Sequence, residues 1–351
     1  MQVRRIHLDR IASVTRNAKV SPDVTIGDKV ICQQGMLIAV KVLTDKYTYN
    51  TVENISGRMI RIKSGDILAG VLGHRMALKG YAGKVPESLK VGDTIQILNL
   101  GGVLGTCTAA NPELGSPFDV EVLGSILTFP KLGDRVGSQA TISNGKIQPS
   151  DTVNQKVPVV FVSGSSMNSG KTVAATELIR VLNHRGLSVS ACKLTGVSLM
   201  RDILSMHDAG AQTVVDFTDA GVVSTRRSKI LPIARGLINY LAKDKPDLII
   251  AELGDGLLGD YGVDDILSDK SLMSCGICHI ICAPDPVATY GAYTLFKDKF
   301  GLTINAISGP VTDNAVGRDY ITGKLGIAAH NARYDIDKLV DIPHKAFLES
   351  K

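Results

Sequence analysis

The strongest chemistry in this chain lies in one run, Val159-Val160-Phe161-Val162-Ser163-Gly164-Ser165-Ser166-Met167-Asn168-Ser169-Gly170-Lys171-Thr172. An apolar segment, a loop of small residues and a Gly-Lys-Thr that opens a helical pattern follow in the order a phosphate-binding loop requires. Small side chains let backbone N–H groups converge on an anion, and the helix N-terminus adds a positive dipole. Lys171 can reach the β- and γ-phosphates of a nucleotide, and Thr172 can hold Mg²⁺. The expected cofactor-binding residues are therefore Gly164, Ser165, Asn168, Ser169, Gly170, Lys171, Thr172 and Val173. Counting back from Gly170, the usual glycine position holds Ser165 and Gly164 stands one residue further out, so the loop is one residue longer than the common spacing.

Such a loop needs a strand before it and a helix after it, and the surrounding text supplies both. From residue 157 onward apolar runs alternate with helical patterns: 157–162 then 170–184, 187–194 then 197–209, and 247–253 after a helix over 231–242. Further strands are expected at 279–283, 303–308 and 326–330, with helices over 287–300 and 314–324. That alternation predicts an α/β fold, a mostly parallel sheet with helices on both faces. Residues 20–146 read differently, as short apolar runs broken by glycine turns, with a possible helical piece near Met76. Four Gly-Asp pairs, starting at Gly27, Gly65, Gly92 and Gly133, adjoin apolar runs as strand-feeding turns do. This predicts a small β-rich barrel or sandwich over 1–146, a polar linker over 147–156 and a P-loop α/β domain over 157–351.

Composition agrees with two folded domains. A length of 351 residues exceeds what one hydrophobic core usually serves, and 44% hydrophobic with 21% charged residues excludes a disordered or fibrous chain. The formal charge of +5 is too small and scattered to build a nucleic-acid surface, yet it suits a small anionic ligand. No apolar run reaches the length of a membrane span and Met1 to Arg10 holds no apolar signal core, so no membrane partner and a cytoplasmic location are expected. The six cysteines are expected to be reduced. Cys275, Cys278 and Cys282 are close enough to suggest a metal site, but they run into an apolar strand, where cysteine behaves as a small hydrophobe.

The Gly-x5-Gly-Lys-Thr loop resembles that of the dethiobiotin synthase and cobyrinic acid diamide synthase branch of P-loop enzymes. Ala191-Cys192-Lys193-Leu194-Thr195-Gly196 looks like that family's strand ending in Lys-Pro-x-x-x-Gly, with Leu194 in place of proline. Met206-His207-Asp208-Ala209 resembles its Ser-Asp-Ala segment, and the strand ending Glu252-Leu253-Gly254-Asp255-Gly256 resembles its Glu-Gly-x-Gly, with Leu253 replacing glycine. The resemblance implies ATP and Mg²⁺ as cofactors and activation of a carboxylate by phosphoryl transfer, followed by attack of an amine. It implies Lys171 and Lys193 as catalytic residues, and Asp208 and Glu252 as metal ligands beside Thr172. It also implies a small carboxylate or amine substrate and a possible homodimer. The N-terminal β domain departs from the dethiobiotin synthases, so the substrate does not carry over.

Two polar stretches remain. Asp216 to Gly221, followed by Ser224-Thr225-Arg226-Arg227, either faces substrate or is a surface loop. Ser308 to Asn314 follows a late strand, where related proteins recognise the base; Asn314 or Asn305 can do so, while Thr312-Asp313 also suits a helix cap. Two other functions stay open. One is a small-molecule or polynucleotide kinase. The other is a regulatory or metallochaperone-like NTPase, although Ser165 and Ser166 occupy the region where such proteins often carry an extra lysine.

Overall fold

The computed structural model describes residues 2–144, 146–154 and 157–351; the last two positions of the expected linker lie outside the described residues. The chain divides into two compact units. The first comprises Met1–Lys146 with Val197–Arg201 and Thr218–Ser224, so two short stretches of the later chain pack with the β-rich text. The second comprises Ile147–Gly196, Asp202–Phe217 and Thr225–Lys351.

In the first unit the strand pairing closes on itself. Asp119–Thr128 pairs with Leu37–Val42, which pairs with Ile67–Leu72, then Val103–Ala110, then Thr94–Ile97, which returns to Asp119–Thr128. The choice between barrel and sandwich is thereby decided for a barrel of these five strands, whose closure leaves no open edge in the ring. Alternate residues such as Val120, Val122, Leu37, Leu68 and Leu104 fill its interior. Three identical Lys-x-Gly-Asp turns start at Lys63, Lys90 and Lys131. In each, the aspartate N–H donates to the lysine carbonyl. The glycine is left-handed, with φ 96, 94 and 83° at Gly65, Gly92 and Gly133. A tight turn with positive φ at its third residue demands glycine there, which is why these pairs punctuate the sequence. The helical piece expected near Met76 is instead a two-residue strand, Arg75–Met76, paired with Tyr81–Lys84. The buried Arg75 guanidinium, bonded to the Tyr49 hydroxyl and the Leu98 carbonyl, holds that hairpin against the barrel.

The second unit is a seven-stranded sheet, with every pairing parallel. Its strands are β1 (Val159–Gly164), β2 (Val189–Thr195), β3 (Val214–Asp216), β4 (Leu248–Leu253), β5 (Gly276–Cys282), β6 (Ala306–Ser308) and β7 (Ala328–Ala329), in the spatial order β3-β2-β4-β1-β5-β6-β7. Every residue of β1, β2 and β4 is buried, as expected when helices cover both faces. Helix α1 (Lys171–His184) lays Ala174, Leu178, Ile179 and Leu182 on the sheet, beside Val160, Val162, Ala191 and Ile250. Each fully buried aliphatic side chain there contributes roughly 1.5–3 kcal/mol. Further helices are α2 (Arg201–Asp208), α3 (Ile230–Ala242), α4 (Val263–Ser268), α5 (Lys270–Met273), α6 (Pro286–Thr294), α7 (Ala315–Tyr320) and α8 (Ile336–Ser350).

Helices α6 and α7 each run into a π-helical turn, Leu295–Phe300 and Ile321–Leu325, which together fill the helical spans expected at 287–300 and 314–324. Helix α8 has no counterpart in the sequence reading. Its interior Pro343 argues against a helix locally, and the burial of Leu339, Val340 and Phe347 against the α1 face of the sheet overrides that preference.

Candidate nucleotide site

Strand β1 carries the loop to the carboxyl edge of the sheet and α1 carries it away. Gly164 ends the strand where a Cβ would stand 2.2 Å from Ser169 Oγ and 2.9 Å from Lys171 Nζ, so only glycine lets the loop curl back on itself. The turn into the helix passes through two left-handed residues, Asn168 at φ 59° and Gly170 at φ 97°. Asparagine tolerates that conformation and glycine does so without steric cost. Lys171 opens α1 and folds back over the loop, where its Nζ donates to the Ser166 carbonyl at 2.8 Å. It is 6% exposed. Burial lowers its pKa, against the opposing pull of Glu252.

Thr172 follows, and its hydroxyl donates to Glu252 Oε1 at 3.2 Å. Glu252 is the penultimate residue of β4, 1% exposed, and its Oε2 is buried without a hydrogen-bond partner among the described residues. Burial raises its pKa, while Lys193, Lys171 and the Thr172 hydroxyl counteract that rise. Lys193, near the end of β2, is paired with Asp202 in the first turn of α2. Burial works to lower the Lys193 pKa, but the carboxylates of Asp202, Glu252 and Asp216 outweigh it and the net direction is upward. Two lysines and a buried carboxylate with one free oxygen therefore share the carboxyl edge of three adjacent strands.

This is a parallel α/β fold with a P-loop between β1 and α1. No protein-family model matches the chain, and no curated protein matches it. Solved structures do. The signal recognition particle receptor FtsY of Elizabethkingia anophelis in complex with GDP is 14% identical, with TM-score 0.34 over 48% of this chain and 53% of that one. The hydrogenase maturation factor HypB of Archaeoglobus fulgidus is 12% identical, with TM-score 0.36 over 55% of this chain and 91% of that one. The signal recognition particle 54 kDa protein of Aeropyrum pernix in complex with GDP is 18% identical, with TM-score 0.35 over 59% and 52%. The chain thus spans about half the length of the two signal recognition proteins it resembles.

Of the residues expected from sequence, Gly164, Ser165, Asn168, Ser169, Gly170, Lys171, Thr172 and Val173 form the loop and the first turn of α1, and Lys193 and Glu252 lie at the same edge. Asp208 is not brought to them. It ends α2 with its side chain 82% exposed, 4.0 Å from His207 Nδ1, because the first turn of the helix, not the last, adjoins Lys193. Asp202 takes the place beside Lys193; an acidic residue in a helix first turn was the available signal. Asn314 is the N-cap of α7, its side chain accepting from Gly317 N–H, and Asn305 accepts from His279 N–H. Both side chains are therefore engaged in holding the backbone. The cap expected from Thr312-Asp313 is supplied by Asn314, while Asn331 donates to both Thr312 Oγ1 and Asp313 Oδ1.

Cys278 and Cys282 sit four residues apart on β5, about 13 Å at ordinary strand rise, too far to share one ion. Burial pushes both thiols up to about 12. No group of three potential ligands occurs among the described residues. No helix among them is long and apolar enough to cross a membrane.

Asp255 was not among the site residues expected from sequence. It adopts φ 75°, a left-handed conformation rare for non-glycine residues, directly beside the loop: the next residue, Gly256, abuts Ser165 and Ser166, and Leu257 N–H donates to the Gly164 carbonyl. Burial raises its pKa and the Lys171 charge draws it back.

Proposed function

We propose that this chain is an ATP- and Mg²⁺-dependent enzyme that activates a carboxylate by phosphoryl transfer, for ligation to an amine. One observation carries the reading: Lys171, at the start of α1, and Lys193, on β2, flank Glu252, whose buried Oε2 lacks a partner among the described residues. A buried carboxylate oxygen without a donor is costly unless a ligand completes it. Thr172 and Glu252 offer oxygen donors of the kind a hard divalent cation prefers, and they are the residues that would hold Mg²⁺. When bound, Mg²⁺ neutralises phosphate charge.

The chain's own groups supply the rest. The loop amides and Lys171 bind the phosphates and favour the charge that develops on the transferred phosphoryl group. Lys193 is released from Asp202 to draw the substrate carboxylate towards that phosphoryl group. The acyl phosphate so formed loses phosphate when the amine nitrogen bonds to its carbonyl carbon and gives up a proton.

The test uses hydroxylamine as a stand-in amine, with a panel of carboxylates, Mg²⁺ and ATP. ADP and hydroxamate are expected in equal amounts with the right carboxylate, and neither with Lys171→Ala. Steady ATP turnover that no carboxylate or amine accelerates sinks the reading.

A regulatory NTPase is the second reading, and Asp255 favours it. A left-handed, largely buried carboxylate on a loop that touches the phosphate loop is a place where nucleotide state can alter backbone conformation. Slow hydrolysis that a protein partner accelerates is its signature.

A further inference from the structure

The amino edge of the same sheet, opposite the phosphate loop, carries a groove of about 470 Å³. Its floor is Phe296, Ile304 and Ile327, all buried; Tyr293, Leu302 and Leu325 form its walls. Two chain segments of matching design frame it. Helix α6 passes into the π turn Leu295–Phe300, stops at left-handed Gly301 (φ 64°) and leads through Leu302 and Ile304 towards β6. Helix α7 passes into the π turn Ile321–Leu325, stops at left-handed Gly326 (φ 67°) and leads through Ile327 into β7.

A π turn widens a helix at the cost of its regular hydrogen bonds, is rare, and is found frequently at functional sites. The volume lies in the range of small-molecule sites, and Lys297 and Thr303 share the lining with the apolar side chains.

The rim charge narrows the class of ligand. Lys299 is committed to Asp264 at 3.2 Å. Lys297 lines the groove with its ammonium 6.0 Å from the Tyr293 ring, and it makes no ion pair among the described residues. We propose that the groove is a second ligand site, for a small molecule with an apolar body and a single carboxylate. The body covers Phe296, Ile304 and Ile327, and the carboxylate meets Lys297. Because the site lies at the opposite edge from the phosphate loop, it stands whether or not the proposed reaction does.

Titration calorimetry of the full chain with sodium octanoate and 3-phenylpropionate tests this. Saturable binding to one site is expected. Octanol, without the charge, binds at least about tenfold more weakly, and Lys297→Glu weakens octanoate by about tenfold or more. Leu325→Glu removes binding, and Lys171→Ala leaves it unchanged. Lys297 is exposed, so its variant reports on the rim without a risk to folding, and circular dichroism confirms the fold of Leu325→Glu. Absence of saturable binding by either acid overturns the proposal, as does binding that both groove variants leave unchanged or that Lys171→Ala abolishes.

Discussion

Glu252 is the residue on which the candidate nucleotide site turns. Its Oε1 accepts from Thr172 while its buried Oε2 accepts from nothing among the described residues. Glu252→Gln preserves shape and removes the negative charge, so Mg²⁺ is expected to lose its benefit to nucleotide affinity. Fluorescent nucleotide titrations with and without Mg²⁺ measure this: the wild type binds more tightly with the ion, and the variant's affinity is nearly independent of it. A variant that retains the full Mg²⁺ effect places the metal elsewhere. The Lys193–Asp202 pair makes a different demand, because both side chains are nine-tenths buried. Removing one member of a buried pair strands the other's charge, so Asp202→Asn is expected to destabilise by about 3 kcal/mol in urea unfolding. A loss below about 1 kcal/mol means that Glu252 and Asp216 already suffice to hold the lysine.

At the scale of elements, β1 and β5 are tied by rings as well as by backbone. His279 on β5 stacks on Phe161 of β1 at 5.5 Å and meets Phe296 edge-on at 5.8 Å. Burial pushes its pKa down to about 4, and its Nδ1 has no partner among the described residues. The folded protein therefore favours neutral imidazole. The unfolded chain takes up the proton near pH 6.5, so this contribution is complete above that pH and falls away as pH drops towards 4. Over that window it amounts to at most about 3 kcal/mol. His279→Phe keeps the ring stack and removes the titration; its melting temperature is expected to fall less than wild type between pH 6.5 and pH 4. Parallel profiles for the two proteins reject the assignment.

For the whole molecule, a ligand held only by the folded chain raises stability by mass action, about 2.7 kcal/mol at a hundredfold excess over Kd. Calorimetric melting with Mg²⁺-ATP is expected to shift upward in the wild type and not in Lys171→Ala; no shift with any nucleotide removes the ligase reading first. The phosphate loop was legible from residue types alone. Small residues, Gly-Lys-Thr and the flanking periodicities are local signals, and local backbone geometry is what they encode. The parallel sheet was equally legible, because strands buried on both faces read as unbroken apolar runs. Closure of the barrel was not, since which strands pair depends on contacts between residues far apart in sequence, such as Thr94–Ile97 returning to Asp119–Thr128. That Asp202 rather than Asp208 adjoins Lys193 was not legible for the same reason: both belong to one amphipathic helix, and only the way that helix packs decides which end meets the sheet. Asp255 carried only a weak signal: aspartate tolerates a left-handed backbone better than most residues, but whether it adopts one is imposed by the surrounding fold.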